Sequence, residues 1–257
     1  MPSLPSSPGP PSAAPGGTEH ASGAIAVAGM EVLASVAIFH YCTWIIGPRI
    51  ETSEDALAYL GILVVSALYV LLRPSPGGVT PLVCSLPKPT LRGIMVFPAI
   101  TAVTMALLWL FRLEADPEWK KLCGDASKYL ALAAVQVIWL YLFLLPRLRR
   151  LVSTLRDKFP ALGDKPVCFT LALIFALNHL PNPLLTICTG GIGLVWTLAY
   201  LRFPNPYLLT LSHAVLASAY LHLLGKSTRV GLGYWNPDYH AFNKSLRLIT
   251  HWITGVF

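Results

Sequence analysis

Two histidines, His179 and His213, stand inside apolar runs in the stretch from Phe175 to His222, FALNHLPNPLLTICTGGIGLVWTLAYLRFPNPYLLTLSHAVLASAYLH. An ionisable side chain is costly to keep in so apolar a setting, so a functional role is the default reading of the pair. Imidazole can hold a metal ion, orient a water or carry a proton near neutral pH. The plainer reading is that both rings hydrogen-bond each other or backbone carbonyls inside a helix bundle. Glu31 and His40 occupy another apolar run. They are nine residues apart and so are not i, i+4 neighbours. Here the plain reading puts Glu31 near a membrane interface and lets His40 close a local hydrogen bond. His222 follows His213 by nine residues, two and a half helical turns, and is expected to point away from it toward the helix end.

The elements that must position these residues follow from composition. Hydrophobic residues make up 54% of the 257 and charged residues 12%, against about 25% charged in a soluble domain. The fold class is therefore all-α, a polytopic membrane bundle of about seven transmembrane helices. A formal charge of +7 raises nucleic-acid binding as a question. The basic residues, however, fall in short segments between apolar runs, as juxtamembrane charges do, and membrane lipids are the partner they fit. Nucleic acid is excluded on that ground. The cysteines, Cys42, Cys84, Cys123, Cys168 and Cys188, form no CxxC pair and no metal-ligand spacing.

Residues 1–22 are rich in Pro, Ser, Gly and Ala and read as a disordered tail, with no basic n-region of a signal peptide. Residues 23–224 form the bundle. Its spans are Ala24 to Ile46, Ala56 to Leu72, Gly93 to Phe111 with a kink at Pro98, Tyr129 to Leu145 closed by Pro146, Val167 to Leu180, Leu184 to Leu201 and Tyr207 to Leu224. The segment from Arg112 to Lys128 carries charges of both signs and reads as a water-exposed connection. Arg147 to Phe159 alternates Leu148, Leu151, Val152 and Leu155 with Arg147, Arg149, Arg150, Arg156 and Lys158, which predicts an amphipathic helix laid along the membrane surface. The very short connections at Pro181-Asn182-Pro183 and Arg202 to Pro206 predict that the last three helices are antiparallel neighbours, so that their histidines meet. Residues 225–257 mix aromatic and basic side chains, as an interfacial tail does. Counting Lys and Arg between spans puts the N-terminus on the cytoplasmic side of a membrane, expected to be the bacterial cytoplasmic membrane.

Phe175-Ala176-Leu177-Asn178-His179 and Leu211-Ser212-His213-Ala214 resemble the second and third motifs of the CPBP family, intramembrane metallo-endopeptidases that include CAAX prenyl endopeptidases and bacteriocin-processing proteins. The second motif, Phe-x-x-x-His, is matched by Phe175 and His179. The third is His-x-x-x-Asn or Asp, and Ala217 stands where its amide or acid belongs. Gly190, Gly191 and Gly193, the Tyr200-Leu201-Arg202 exit and Leu145 to Arg150 are also similar to the family, so that 129–224 reads as a CPBP-like core. The first motif is a Glu-Glu pair with Arg four residues after the second Glu. Aligned through Leu145 to Arg150, that stretch is Gln136 to Tyr141, which holds neither glutamate nor the arginine. No acidic residue occurs from Ala126 to Thr154.

Peptide hydrolysis in a membrane cavity needs a water activated by a metal or a carboxylate, and a donor for the oxyanion. The resemblance implies that His179 and His213 are catalytic or metal-holding residues, with zinc as the metal, and that Gln136 stands at the first glutamate. An amide can orient a water but cannot take its proton. Two histidines fall short of the three protein ligands usual for catalytic zinc. The expectation is a family member with a degenerate site, without a cofactor, that binds a hydrophobic or lipidated peptide. One alternative is an active peptidase with altered ligands drawn from Glu31, His40, Asn178, Asn182 or His222. The other is a small membrane transporter, which a repeat or matched broken helices would favour and which neither feature supports here.

Overall fold

A computed structural model of the chain describes residues 17–46, 53–72, 91–112 and 119–224. The expectations for residues 1–16, for the loop 73–90 and for the tail 225–257 lie outside the described residues. Helices carry almost all of the described chain: α1 Gly17–Tyr41, α2 Ser53–Leu72, α3 Leu91–Leu110, α4 Trp119–Val137, α5 Leu145–Lys158, α6 Lys165–Leu177, α7 Pro183–Arg202 and α8 Pro206–Leu224. Backbone polar groups have no water to bond in hydrocarbon, so an apolar chain spans it as helix. Among the described residues five stretches are long and apolar enough to cross a membrane: Ile25–Ile46, Leu91–Leu110, Trp119–Ser153, Pro183–Arg202 and Pro206–Leu224. The 20-residue α2 and the shorter apolar α6 complete the seven expected positions. The protein is an all-helical integral membrane bundle.

Several boundaries differ from the sequence expectation. The first helix begins at Gly17, inside the expected tail. Trp119 to Lys128, expected as a connection, is helical, and it keeps the predicted exposure at Lys120, Lys121 and Lys128. The helix does not stop at Pro146. Between α4 and α5 lies a π-helical segment, Ile138–Leu144, in which the Leu145 N–H donates to the Leu140 carbonyl five residues back. A proline within an α-helix lacks an N–H and crowds the carbonyl four residues before it. The wider π turn ahead of Pro146 relieves that crowding, so one continuous apolar rod runs from Trp119 to Ser153. A second π segment, Cys42–Ile46, extends α1.

Packing differs from the expectation as well. The α6 and α7 helices do pack together, but α8 lies chiefly against α4 and α3, and it meets α7 only locally. A short loop fixes direction, not the face that is buried. The α8 face bearing Ser212, Ser218, Ala219 and Leu223 is small and fully buried, and it receives Thr101, Met105 and Leu108 of α3 and Leu122 of α4. In α5, Arg147 is only 2% exposed rather than part of a solvated basic face, and Leu148 is buried beside it. Arg149 has the surface position expected, bridging to Asp164 at 2.7 Å.

Candidate functional site

The end of α6 places His179. Pro181 and Pro183 cannot continue a helix, and residues before proline are driven out of the α region. The chain therefore closes α6 with tight turns, His179 N–H to the Ala176 carbonyl at 2.9 Å and Leu180 N–H to the Leu177 carbonyl at 3.2 Å. Asn182 then caps α7, its side-chain oxygen accepting from Leu185 N–H at 3.1 Å. Within this last turn the His179 ring folds back so that Nδ1 lies 2.7 Å from the Phe175 carbonyl. A carbonyl only accepts, so Nδ1 carries the proton and Nε2 presents a lone pair.

Phe175 joins the two histidines. Its ring meets His179 edge-on at 4.9 Å between centroids and His213, from α8, edge-on at 5.4 Å. The two imidazoles are thus no more than about 10 Å apart, on helices separated in sequence by all of α7. Trp196 of α7 adds a third wall, 5.2 Å from the His213 ring and 6.1 Å from Phe175. Close approach of α7 depends on glycine. A Cβ on Gly193 would stand 2.9 Å from Phe175 Cδ1, and one on Gly190 would stand 3.3 Å from Ala176 Cβ. Trp196 is aimed by hydrogen bonds that sequence reasoning did not single out. Its Nε1–H donates to Ser212 Oγ at 3.2 Å, and Ser212 also pairs with Thr101 Oγ1 of α3 at 2.6 Å. Four helices therefore fix the environment of His213.

The remaining candidates divide. His40, from α1, donates from Nδ1 to the Val36 carbonyl at 2.8 Å, the local bond expected of it. Trp44, four residues on, donates from Nε1 to the Asn178 carbonyl at 3.2 Å and ties the π segment of α1 to the end of α6. A Trp four residues after an intramembrane His was the available signal for that tie. Glu31 is elsewhere: it is ion-paired at 2.6 Å with buried Arg147. His222 points away from His213, as expected, and its Nε2 lies 3.0 Å from Asp125 Oδ2. Gln136 is half-buried, with its side-chain oxygen unpartnered, and Asn178 is buried with its side-chain oxygen likewise unpartnered.

This donor set does not fit the zinc ion that the resemblance implies. Catalytic zinc takes three protein ligands and an open position. Among the described residues no three His, Cys, Asp or Glu side chains stand together in a metal-holding group. The acceptor on His179 and the ring of His213 can instead bind and orient a polar group against an aromatic wall.

Residues 138–219 match the family model described as Type II CAAX prenyl endopeptidase Rce1-like. No curated protein and no solved structure matches the chain. The matched segment begins two residues after Gln136, at the start of the π segment, and it takes in both histidines and the glycines between them. Over residues 138–219, then, this helical membrane protein is similar to the Rce1-like type II CAAX prenyl endopeptidases.

Proposed function

We propose that this protein is a non-hydrolytic member of the family, retaining the histidine site to bind a hydrophobic or lipidated peptide within the membrane. The observation that supports this most is where the carboxylate of the first span has gone. Glu31 is held by Arg147 at 2.6 Å, and it lies nine residues from His40, about 13 Å along α1 at 1.5 Å per residue. Nothing acidic on the 126–154 stretch takes its place. Without a carboxylate or a metal-activated water, the attack on an amide lacks its base, a loss of about 10² to 10⁴ in rate.

The position of Arg147 in the sequence allows a different register for the first motif. With Leu142 and Phe143 at the glutamate pair, Arg147 falls where the motif has its arginine, four residues after Phe143. In that register the arginine is kept and the acids are lost. Gln136 would then be a neighbouring polar residue, not the heir of the first glutamate. Either register leaves the site without a general base.

The test uses the purified full chain in detergent or lipid nanodiscs. Zinc content is measured by mass spectrometry, and cleavage of a farnesylated CAAX-type peptide by chromatography, for the natural protein and for His179→Ala. The expected result is no stoichiometric zinc, no cleavage, and peptide binding that weakens in His179→Ala. Cleavage that disappears with His179 would overturn the proposal in favour of an active peptidase with altered ligands. The basic segments suggest a cytoplasmic N-terminus, which a reporter fused to that end would check.

A further inference from the structure

The tautomer of His179 sets what the site can recognise. Its Nδ1–H is spent on the Phe175 carbonyl at 2.7 Å, so toward the site it offers only the Nε2 lone pair. His213, in perpendicular contact with the same phenyl ring, has neither ring nitrogen hydrogen-bonded among the described residues. Its neutral ring brings one donor and one acceptor. Asn178, next to His179 in sequence and only 6% exposed, keeps its side-chain oxygen unpartnered. His179 and His213 are both half-buried residues. Across the histidine pair, acceptors outnumber donors. A hydrolytic site needs the reverse at the reacting carbonyl, since an oxyanion is stabilised by donors.

We infer that the His179–His213 pair recognises a hydrogen-bond donor, a backbone amide N–H of an extended membrane-embedded peptide, with Phe175 and Trp196 packing on the flanking apolar groups. The inference rests on the proposed function and specifies what that site reads. Buried lone pairs left unmatched are costly, so an N–H that meets Nε2 contributes more in this apolar setting than it would in water. The carbonyl of the same peptide unit points the other way along an extended chain, away from His179. A bound peptide is thus held by the wrong edge for attack, consistent with retention of the histidines in a site without a base.

The experiment compares a farnesylated tetrapeptide with analogues in which each amide is replaced in turn by an ester, which removes one N–H and keeps the carbonyl. Affinity is measured by calorimetry on the natural protein, on His179→Leu and on His179→Gln, each first shown to be monodisperse and to unfold cooperatively. One ester is expected to bind about tenfold more weakly to the natural protein. That penalty should vanish in His179→Leu and persist in part in His179→Gln, whose side-chain oxygen restores an acceptor. If every ester binds as well as the parent, or if the penalty is unchanged in His179→Leu, the inference is wrong while peptide binding stands. If the parent peptide does not bind at all, the proposed function falls with it. If the parent is cleaved, the non-hydrolytic reading fails on its own evidence.

Discussion

Arg147 Nε donates to Glu31 Oε2 across 2.6 Å, joining the start of α5 to the middle of the first span. The guanidinium is 2% exposed, stacks 3.7 Å from the centroid of Phe143, and donates from a second nitrogen to the Phe143 carbonyl at 3.1 Å. Removing one partner of such a pair strands a buried charge. Glu31→Gln and Arg147→Met should each destabilise the protein by about 3–5 kcal/mol. The double variant Glu31→Gln/Arg147→Met should recover much of that loss. Unfolding in detergent, followed by circular dichroism, measures the cycle; additive losses would show that the pair is not coupled.

Gly193 is expected to be the least replaceable glycine of α7. Its added Cβ would meet Phe175 at 2.9 Å and the Ala172 backbone at 3.6 Å, whereas Gly191 has nothing within 4 Å. Gly193→Ala should cost about 1–3 kcal/mol through overpacking, and it should weaken peptide binding because Phe175 carries both histidines. Gly191→Ala should be neutral or slightly stabilising, since it raises helix propensity at an open position. Equal unfolding temperatures for the two variants would contradict the packing described.

Ser212 holds Trp196 and Thr101 at once. Ser212→Ala leaves the buried indole N–H without its acceptor, at a cost of about 1–3 kcal/mol. It should also shift the Trp196 fluorescence, because the ring beside His213 loses its tether. The signal is isolated by comparing spectra with and without Trp196→Phe.

Adding acid to the fourth span should show which of two neighbours is tolerated. Gln136 is half-buried with an unpartnered side-chain oxygen, while Val137 is 2% exposed in the main core cluster. Gln136→Glu is expected to fold with a modest loss of stability, and Val137→Glu to lose several kcal/mol, about the cost of an unpaired buried charge. Thermal unfolding of the two single variants decides it, and similar midpoints would refute the burial difference.

Much of the arrangement was legible in the chain because membrane helices announce themselves by length and apolarity, and because Phe175, His179 and His213 carry their own spacing. The glycines of α7 were visible too, although not which one faces Phe175. What escaped were relationships set at long range. Arg147 looked like surface charge because its partner, Glu31, lies 116 positions away. The stop at Pro146 failed because local rules describe α turns, and the preceding turn is wider. The neighbours of α8 could not be read from a short loop, which constrains direction but leaves the choice of face to packing.

The wide turn between Ile138 and Leu144 amounts to an extra residue slipped into an otherwise regular rod. At 3.6 residues per turn each added residue swings everything beyond it by about 100°. That swing sets the azimuth of all of α5, on which Arg147 faces Glu31 while Arg149, about 200° further round, looks outward to Asp164. A length change of one residue within the 138–144 segment would thus re-aim a buried cation without altering any contact residue, a route by which relatives of this protein could gain or lose the lock between their first and fourth spans.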